Sequence, residues 1–300
     1  MSEHLPAHFR VRDALKEGFT REALAAADWH APYWGVRSRV QASDIRNRAH
    51  AFLPRLPERA FYFGTTAAEL HGIPIPQRTM GQALHVGVQA GDRRVEARGV
   101  VAHHVTIDPR DVTVLNGLPV TTPARTWCDL AAGGLRRHEI IAAGDRILWA
   151  DDPLGTVHDL RTALARYEGR RGSKLMRDAL PALSSGSASP PETWLRVLVI
   201  DAGLPVPSVQ VEVVNRWGRI LGHCDLGWPA LRLGLEYEGD HHRTDAAQWR
   251  YDVRRYGEMQ EAGWFIIRVT ADDLRDSHAR AVLLNRIRSA ISARVRTLLP

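Results

Sequence analysis

Cysteine is scarce in this chain: Cys128 and Cys224 are the only two, far apart and without metal-type spacing around either, which excludes a disulfide framework and a zinc ribbon. Both read as small buried residues. Long apolar runs are missing as well. No stretch approaches the roughly 18 consecutive apolar residues that a membrane helix needs. The start, MSEHLPAHFRVRD, lacks the basic head and apolar stretch of a secretory signal, so the expectation is a cytoplasmic protein with no membrane partner. Lysine is nearly absent: among 40 basic residues only Lys16 and Lys174 are lysines. The arginine excess and the net charge of +6 suit an anionic partner, because a guanidinium forks onto phosphate, although a GC-rich genome gives the same bias. What is present, 44% apolar and 25% charged residues over 300 positions, belongs to a soluble globular protein of two or three domains.

Three segments follow one another. Residues 1–57 contain two helix-sized stretches around Gly18 and then a short strand with proline and glycine, the outline of a winged helix-turn-helix. Thr20 is placed to cap the second helix, with Ala23, Leu24 and Ala27 as its buried stripe. Such a unit sets its second helix in the major groove of DNA, with Arg21 near the helix start and Arg37 and Arg39 on the wing. A plain helical hairpin packed on the next domain fits the same pattern. Residues 58–183 read as α+β: a helix in FGTTAAELHGIPIP stopped by Gly72, short strands in ALHVGV, GVVAHHVTI and VTVLNGLPVT, and a helix starting at Thr122 and Pro123. His103 and His104 are neighbours on a strand and point to opposite faces, so they do not chelate one ion. Residues 184–191, SSGSASPP, have the composition of a linker.

Residues 192–300 order themselves as helix, strand, strand, strand, helix, strand, helix, an α/β domain with a central mixed sheet. ILGHCDLGW and LRLGLEYEG should pair as an antiparallel hairpin. A two-residue loop at Pro229 and Ala230 would set Asp225 opposite Gly234, leaving a gap beside the aspartate, and His223 opposite Glu236. Alternation would then gather Asp225, His223, Glu236 and Glu238 on one face and Leu231, Leu233, Leu235 and Tyr237 on the other. Carboxylates crowded in this way repel by roughly 1 kcal/mol per close pair in water. A hard divalent cation, Mg²⁺ or Mn²⁺, held by Asp225, Glu236 and Glu238 removes that penalty. A wet sheet face carries the same residues without function, but the adjoining Asp240, His241 and His242 are unusual for a surface turn.

SPPETWLRVLVIDAGL, DLGW, EYEGDHH, the helix with Asp252 and Arg255, and GWFIIRVT, in that order, resemble bacterial endonuclease-like domains related to very-short-patch repair endonucleases of the PD-(D/E)XK nuclease superfamily. The resemblance implies catalytic metal on Asp225 and Glu236, with help from a helix glutamate at Glu192. Glu192 is equally the glutamate of a capping box begun by Ser189. The superfamily's lysine position holds Glu238, so the ammonium that orients water is missing, and His242 is the candidate base in its place. Asp252 and Arg255 form either a helix-face ion pair or a brace for the site. More loosely, DALKEGFTREAL, WGVR, TTAAELHGI and TPARTWCDLAA resemble AbiEi-like antitoxins of type IV toxin-antitoxin systems, which implies DNA binding by the first two segments. The combined expectation is a DNA-binding, Mg²⁺-dependent endonuclease. The alternative is a non-enzymatic regulator or antitoxin-like protein with an inactive nuclease fold.

Overall fold

The structure, a computed structural model, describes residues 5–25, 28–81, 83–89, 91, 95–239 and 246–298, with backbone only at 246–253 and 298. The chain is mixed α/β and divides into two compact units, Met1–Leu148 with Pro153–Pro181, and Ala182–Pro300 with Trp149–Asp152. No helix of the described residues is long and apolar enough to cross a membrane.

The first unit opens with β1 (His8–Arg10), α1 (Val11–Lys16), α2 (Arg21–Leu24) and β2 (Val36–Ser38), and β1 pairs antiparallel with β2. Gly18, at φ 93°, makes the turn between the helices in a conformation that side chains disfavour. Thr20 caps α2 by accepting from the backbone N–H of Ala23. Leu24 is buried as its position requires, Ala23 is exposed, and Ala27 lies outside the described residues.

After α3 (Ile45–Phe52) come β3 (Phe61–Tyr62), α4 (Gly64–His71), β4 (Leu84–Gln89), β5 (Val100–Val105), β6 (Val112–Leu115) and β7 (Leu118–Thr121). The strands build a five-stranded sheet in the order β5-β4-β3-β7-β6. Gly72 ends α4 in the left-handed conformation, as the sequence requires. Helices α5 (Pro123–Ala132), α6 (Arg137–Leu148), α7 (Val157–Tyr167) and α8 (Ser173–Ala179) complete the unit, with Thr122 capping α5 and Pro123 in its first turn.

One apolar cluster joins Tyr33, Val36, Ala51 and Phe52 to Tyr62, Leu84, Val86 and Val120. The boundary expected between 57 and 58 therefore cuts through a shared core. His103 is half-buried, with Nε2 2.9 Å from His85 Nδ1, while His104 is exposed, as alternation along β5 demands. Beneath the sheet-to-helix junction, buried Arg125 donates from Nε to Asp129 Oδ1 at 2.8 Å and approaches Asp111 at 3.8 Å, and Arg166 pairs with Asp111.

The second unit begins with α9 (Pro190–Asp201), then β8 (Ser208–Val214), β9 (Ile220–Trp228) and β10 (Leu233–Glu238). Helix α10 (Ala246–Glu261) crosses over to β11 (Phe265–Thr270), which pairs parallel with β10. The short α11 (Ala271–Leu274) and long α12 (Ser277–Leu298) follow, and the sheet order is β11-β10-β9-β8. Apolar residues form two clusters. Leu226, Leu233 and Leu235 pack with Leu195 of α9 and Leu283 and Ile287 of α12. Cys224, Val211 and Val213 pack with Met259 and Trp264.

The stretch read as a linker is anchored instead. Ser187 is buried, Ser185 accepts from Ala150 N–H, Ala188 N–H donates to Glu192, and Pro190 and Pro191 already belong to α9. Burial and backbone bonds such as that from Ala150 hold this stretch, which composition alone does not distinguish from a free linker.

Candidate active site

The β9–β10 register differs from the expected one by two residues. Leu233 faces Trp228, Gly234 faces Gly227 and Leu235 faces Leu226. The connection is a 3-10 turn at Pro229–Leu231 followed by Arg232 at φ 46°, four residues rather than two. The shift carries Glu236 up to Asp225. Beyond the last pair the strands part: the backbone N–H of Tyr237 donates to Asp225 Oδ2 at 2.7 Å, so the aspartate side chain replaces a ladder bond.

Alternation also breaks at this point. Cys224 and Leu226, two residues apart, pack into different clusters, as do Val211 and Val209 across from them. Val209 pairs with Leu226 and Val211 with Cys224, which leaves Gln210 across from Asp225. Gln210 has φ 47°, a strained value for a residue with a side chain, and this kink passes the strand from one face of the sheet to the other. Asp225 thus sits where the sheet opens. The gap expected beside Gly234 is filled: a Cβ there would lie 2.5 Å from Cys224 Sγ.

Glu192 comes to the same place from the first turn of α9. It reaches back to the N-cap Ser189, accepting from Ser189 Oγ at 2.8 Å and Ala188 N–H at 3.0 Å, and it also accepts from Gln210 Nε2 at 3.2 Å. Its charge still bears on Asp225. Burial, then the Glu192 charge, and then that of Glu236 push the Asp225 carboxyl up to about 7, and Tyr237 N–H and Arg255 only partly offset them. Glu236 Oε1 accepts from Arg255 at 2.5 Å, while Glu236 Oε2 is buried with no hydrogen-bond partner among the described residues. Such an atom loses its hydration without compensation, a state that marks a ligand position or stored strain. Arg255 reaches in from α10 because Gly222 has no side chain: a Cβ there would lie 2.6 Å from Met259 Cε and 3.3 Å from Arg255 Cδ.

The remaining expected members are placed elsewhere. Glu238 is taken by Arg268 in a two-pronged ion pair and accepts from Tyr256 Oη at 3.3 Å. His223 is exposed, 3.9 Å from Glu212. The charges of Glu192 and Glu236 therefore act on Asp225, and Glu238 is engaged by Arg268. Among the described residues no three His, Cys, Asp or Glu side chains are grouped closely enough to hold a metal ion unaided. His242, with Asp240 and His241, lies outside the described residues, and so does the Asp252 side chain. Sequence reasoning missed Gln210, since a glutamine in a strand gives no sign of its backbone angle. Cys224 is fully buried, and burial above all pushes its thiol up to about 12, so it is no nucleophile.

The arginines expected at a DNA interface divide by role. Arg21 is exposed. Arg39 lies over the Trp29 ring at 5.1 Å. Arg37 donates to the carbonyls of Leu24 at 2.8 Å and Val36 at 3.1 Å, which makes it a fastener between β2 and α2.

Fold and site together define a two-unit α/β protein with a half-buried acidic centre where strands β9 and β10 part. No protein-family model matches the chain. It is 30% identical over 248 residues to two Mycobacterium tuberculosis proteins, uncharacterized protein MT2308 of strain CDC 1551 / Oshkosh and uncharacterized protein Rv2248 of strain H37Rv, across 83% of this chain and 88% of each relative. The chain belongs to their family. The crystal structure of RV2827C protein from Mycobacterium tuberculosis aligns with 69% of this chain and 79% of that one at 16% identity and a TM-score of 0.41.

Proposed function

We propose that the protein binds DNA and that its second unit hydrolyses phosphodiester bonds with the help of a divalent cation, Mg²⁺ or Mn²⁺. The observation that carries this proposal is the half-buried pair of Asp225 and Glu236, one carboxyl pushed up to about 7 and the other with a buried oxygen that has no hydrogen-bond partner among the described residues. Two carboxylates are enough for Mg²⁺, which keeps several waters and completes its shell with substrate phosphate. Asp225 and Glu236 would hold the ion, and Glu192 would contribute charge from behind. A cation bound there supplies Lewis-acid polarisation of the phosphoryl group and acidification of water.

The chain's own residues do the rest. Tyr237 N–H fixes the Asp225 carboxylate, leaving its second oxygen for a ligand. Arg255 brings a permanent positive charge to the place where the phosphodiester would lie, although the lysine of the resembled nucleases is absent. A cleavage assay on plasmid, linear and mismatched DNA with Mg²⁺, Mn²⁺ or chelator tests the proposal. Absence of metal-dependent cutting on every substrate rejects it.

Protons compete with the cation for Asp225. Since its carboxyl sits at about 7, Mn²⁺ affinity measured by calorimetry should rise up to about tenfold per pH unit below that value and level off above about 8. A flat profile between pH 6 and 8 would show that Asp225 is not a ligand.

A regulator without catalysis is favoured by a separate observation: Arg255 and Arg268 already neutralise Glu236 and Glu238. In either case the first unit is proposed to carry a winged helix-turn-helix surface for DNA. Deleting the chain up to about Arg59 would gut the shared core, so point variants are the proper test. Arg21→Ala and Arg39→Ala should each weaken duplex binding and lower the salt slope by about 1, the signature of a lost phosphate contact. Unchanged slopes in both variants would remove this surface from DNA binding.

A further inference from the structure

The connection between β8 and β9 is the sequence Asn215-Arg216-Trp217-Gly218-Arg219, and it presents a large aromatic to solvent: Trp217 is 73% exposed. Exposure on a loose loop would mean little, but this tip is rigid. Asn215 Oδ1 accepts from the backbone N–H of both Trp217 and Arg219 at 3.0 Å, and its carbonyl accepts from Gly218 N–H at 3.0 Å. The main chain closes with Asn215 N–H donating to Arg219 O at 3.0 Å, and Gly218 takes φ 78°. Arg216 lies over the indole, its guanidinium carbon 4.1 Å from the ring centroid, so one face of the aromatic carries a positive charge. Arg219 flanks the other side in sequence. Exposed Val214 and Ile220 extend the apolar surface down both strands.

A fixed indole loses little entropy on stacking, and two guanidiniums select an anionic partner. We propose that this hairpin tip is a stacking platform for an unpaired base of DNA, with Arg216 and Arg219 holding the flanking phosphates. The platform rests on the nucleic-acid part of the function proposed above and not on catalysis. It also gives the substrate class: DNA with an unpaired or displaced base rather than uniform duplex. Strand β9 leaves the tip at Ile220 and reaches Asp225 five residues later, about 17 Å along at about 3.3 Å each, so a base held at the tip would bias which phosphate reaches the acidic centre.

The test uses the full chain in chelator, so that no cutting occurs, with two fluorescent 20-base-pair duplexes that differ by one bulged thymine. Trp217→Ala should weaken binding of the bulged duplex by about 5- to 100-fold, the range of one lost base stack, and change the paired duplex by less than about twofold. Trp217→Phe should stay within about threefold of the wild type on both, and Arg216→Ala should lower the salt slope by about 1. The platform is overturned if Trp217→Ala binds the bulged duplex as the wild type does or loses both duplexes equally. It is also overturned if the variant loses only its association with phosphatidylserine vesicles. Because metal is absent throughout, a preference for the bulged duplex can stand while the phosphodiesterase proposal falls, and cleavage can stand while the preference fails.

Discussion

Replacing Asp225 with Asn is expected to abolish metal-dependent DNA cleavage, with a loss well beyond the roughly 10- to 100-fold that follows removal of a residue merely orienting a metal ligand. The amide keeps the oxygen that accepts from Tyr237 N–H, so the fold should survive. Stability should even increase without metal. The folded carboxyl sits at about 7, above its ordinary 3.8, so the native state holds the proton more tightly and ionising the group costs stability as pH rises between those values. Asn removes that cost, and the gain, roughly 1–3 kcal/mol, should be full above about pH 7 and vanish below about pH 4.

Glu236→Gln should likewise stop cleavage but behave oppositely in stability. It weakens the charge-assisted bond from Arg255 in a poorly hydrated place, a loss of about 1–3 kcal/mol. Cleavage rates, together with thermal melts at pH 5 and 8 with and without Mn²⁺, separate these outcomes. Wild-type rates in Asp225→Asn, or no stabilisation of the wild type by either metal, would leave the regulator as the better account.

The second large effect concerns the first unit. Arg125→Met should destabilise the protein by about 3–5 kcal/mol at pH 8, because it leaves Asp129 and Asp111 buried without their shared guanidinium. Asp129 is already pushed up to about 7 by burial, which outweighs the Arg125 charge. Loss of that charge pushes it further. The penalty is for a buried anion, so it should shrink toward pH 5, where Asp129 takes up a proton. Denaturant melts across this range measure it. Equal destabilisation at both pH values would mean that Arg125 contributes through packing, including its position over Tyr167 at 5.2 Å.

Local periodicity and turn chemistry made most elements of the second unit legible. α9, β8, β9, β10, α10, β11 and α12 fall close to where alternating or helical apolar patterns and the turn at Pro229 put them. The caps at Thr20 and Thr122 and the stops at Gly18 and Gly72 were equally local. What failed needed contacts between distant residues. The 57/58 boundary failed because Tyr33 and Phe52 pack with Tyr62 and Val86, and packing partners leave no trace in composition.

For the site, the sequence by itself determined that Asp225 and Glu236 lie on adjacent antiparallel strands and that a glutamate opens the preceding helix, because strand length, turn residues and a capping pattern are short-range properties. Only the tertiary structure decided the register, set by a four-residue turn ending in the left-handed Arg232, and the change of face at Gln210 and Asp225. Only it assigned Glu238 to Arg268 and Glu236 to Arg255. The physical reason is that a carboxylate's role depends on which cation reaches it and how much water remains around it. Both are fixed by helix α10 and strand β11 folding back across the sheet, and by nothing in the residues next to it.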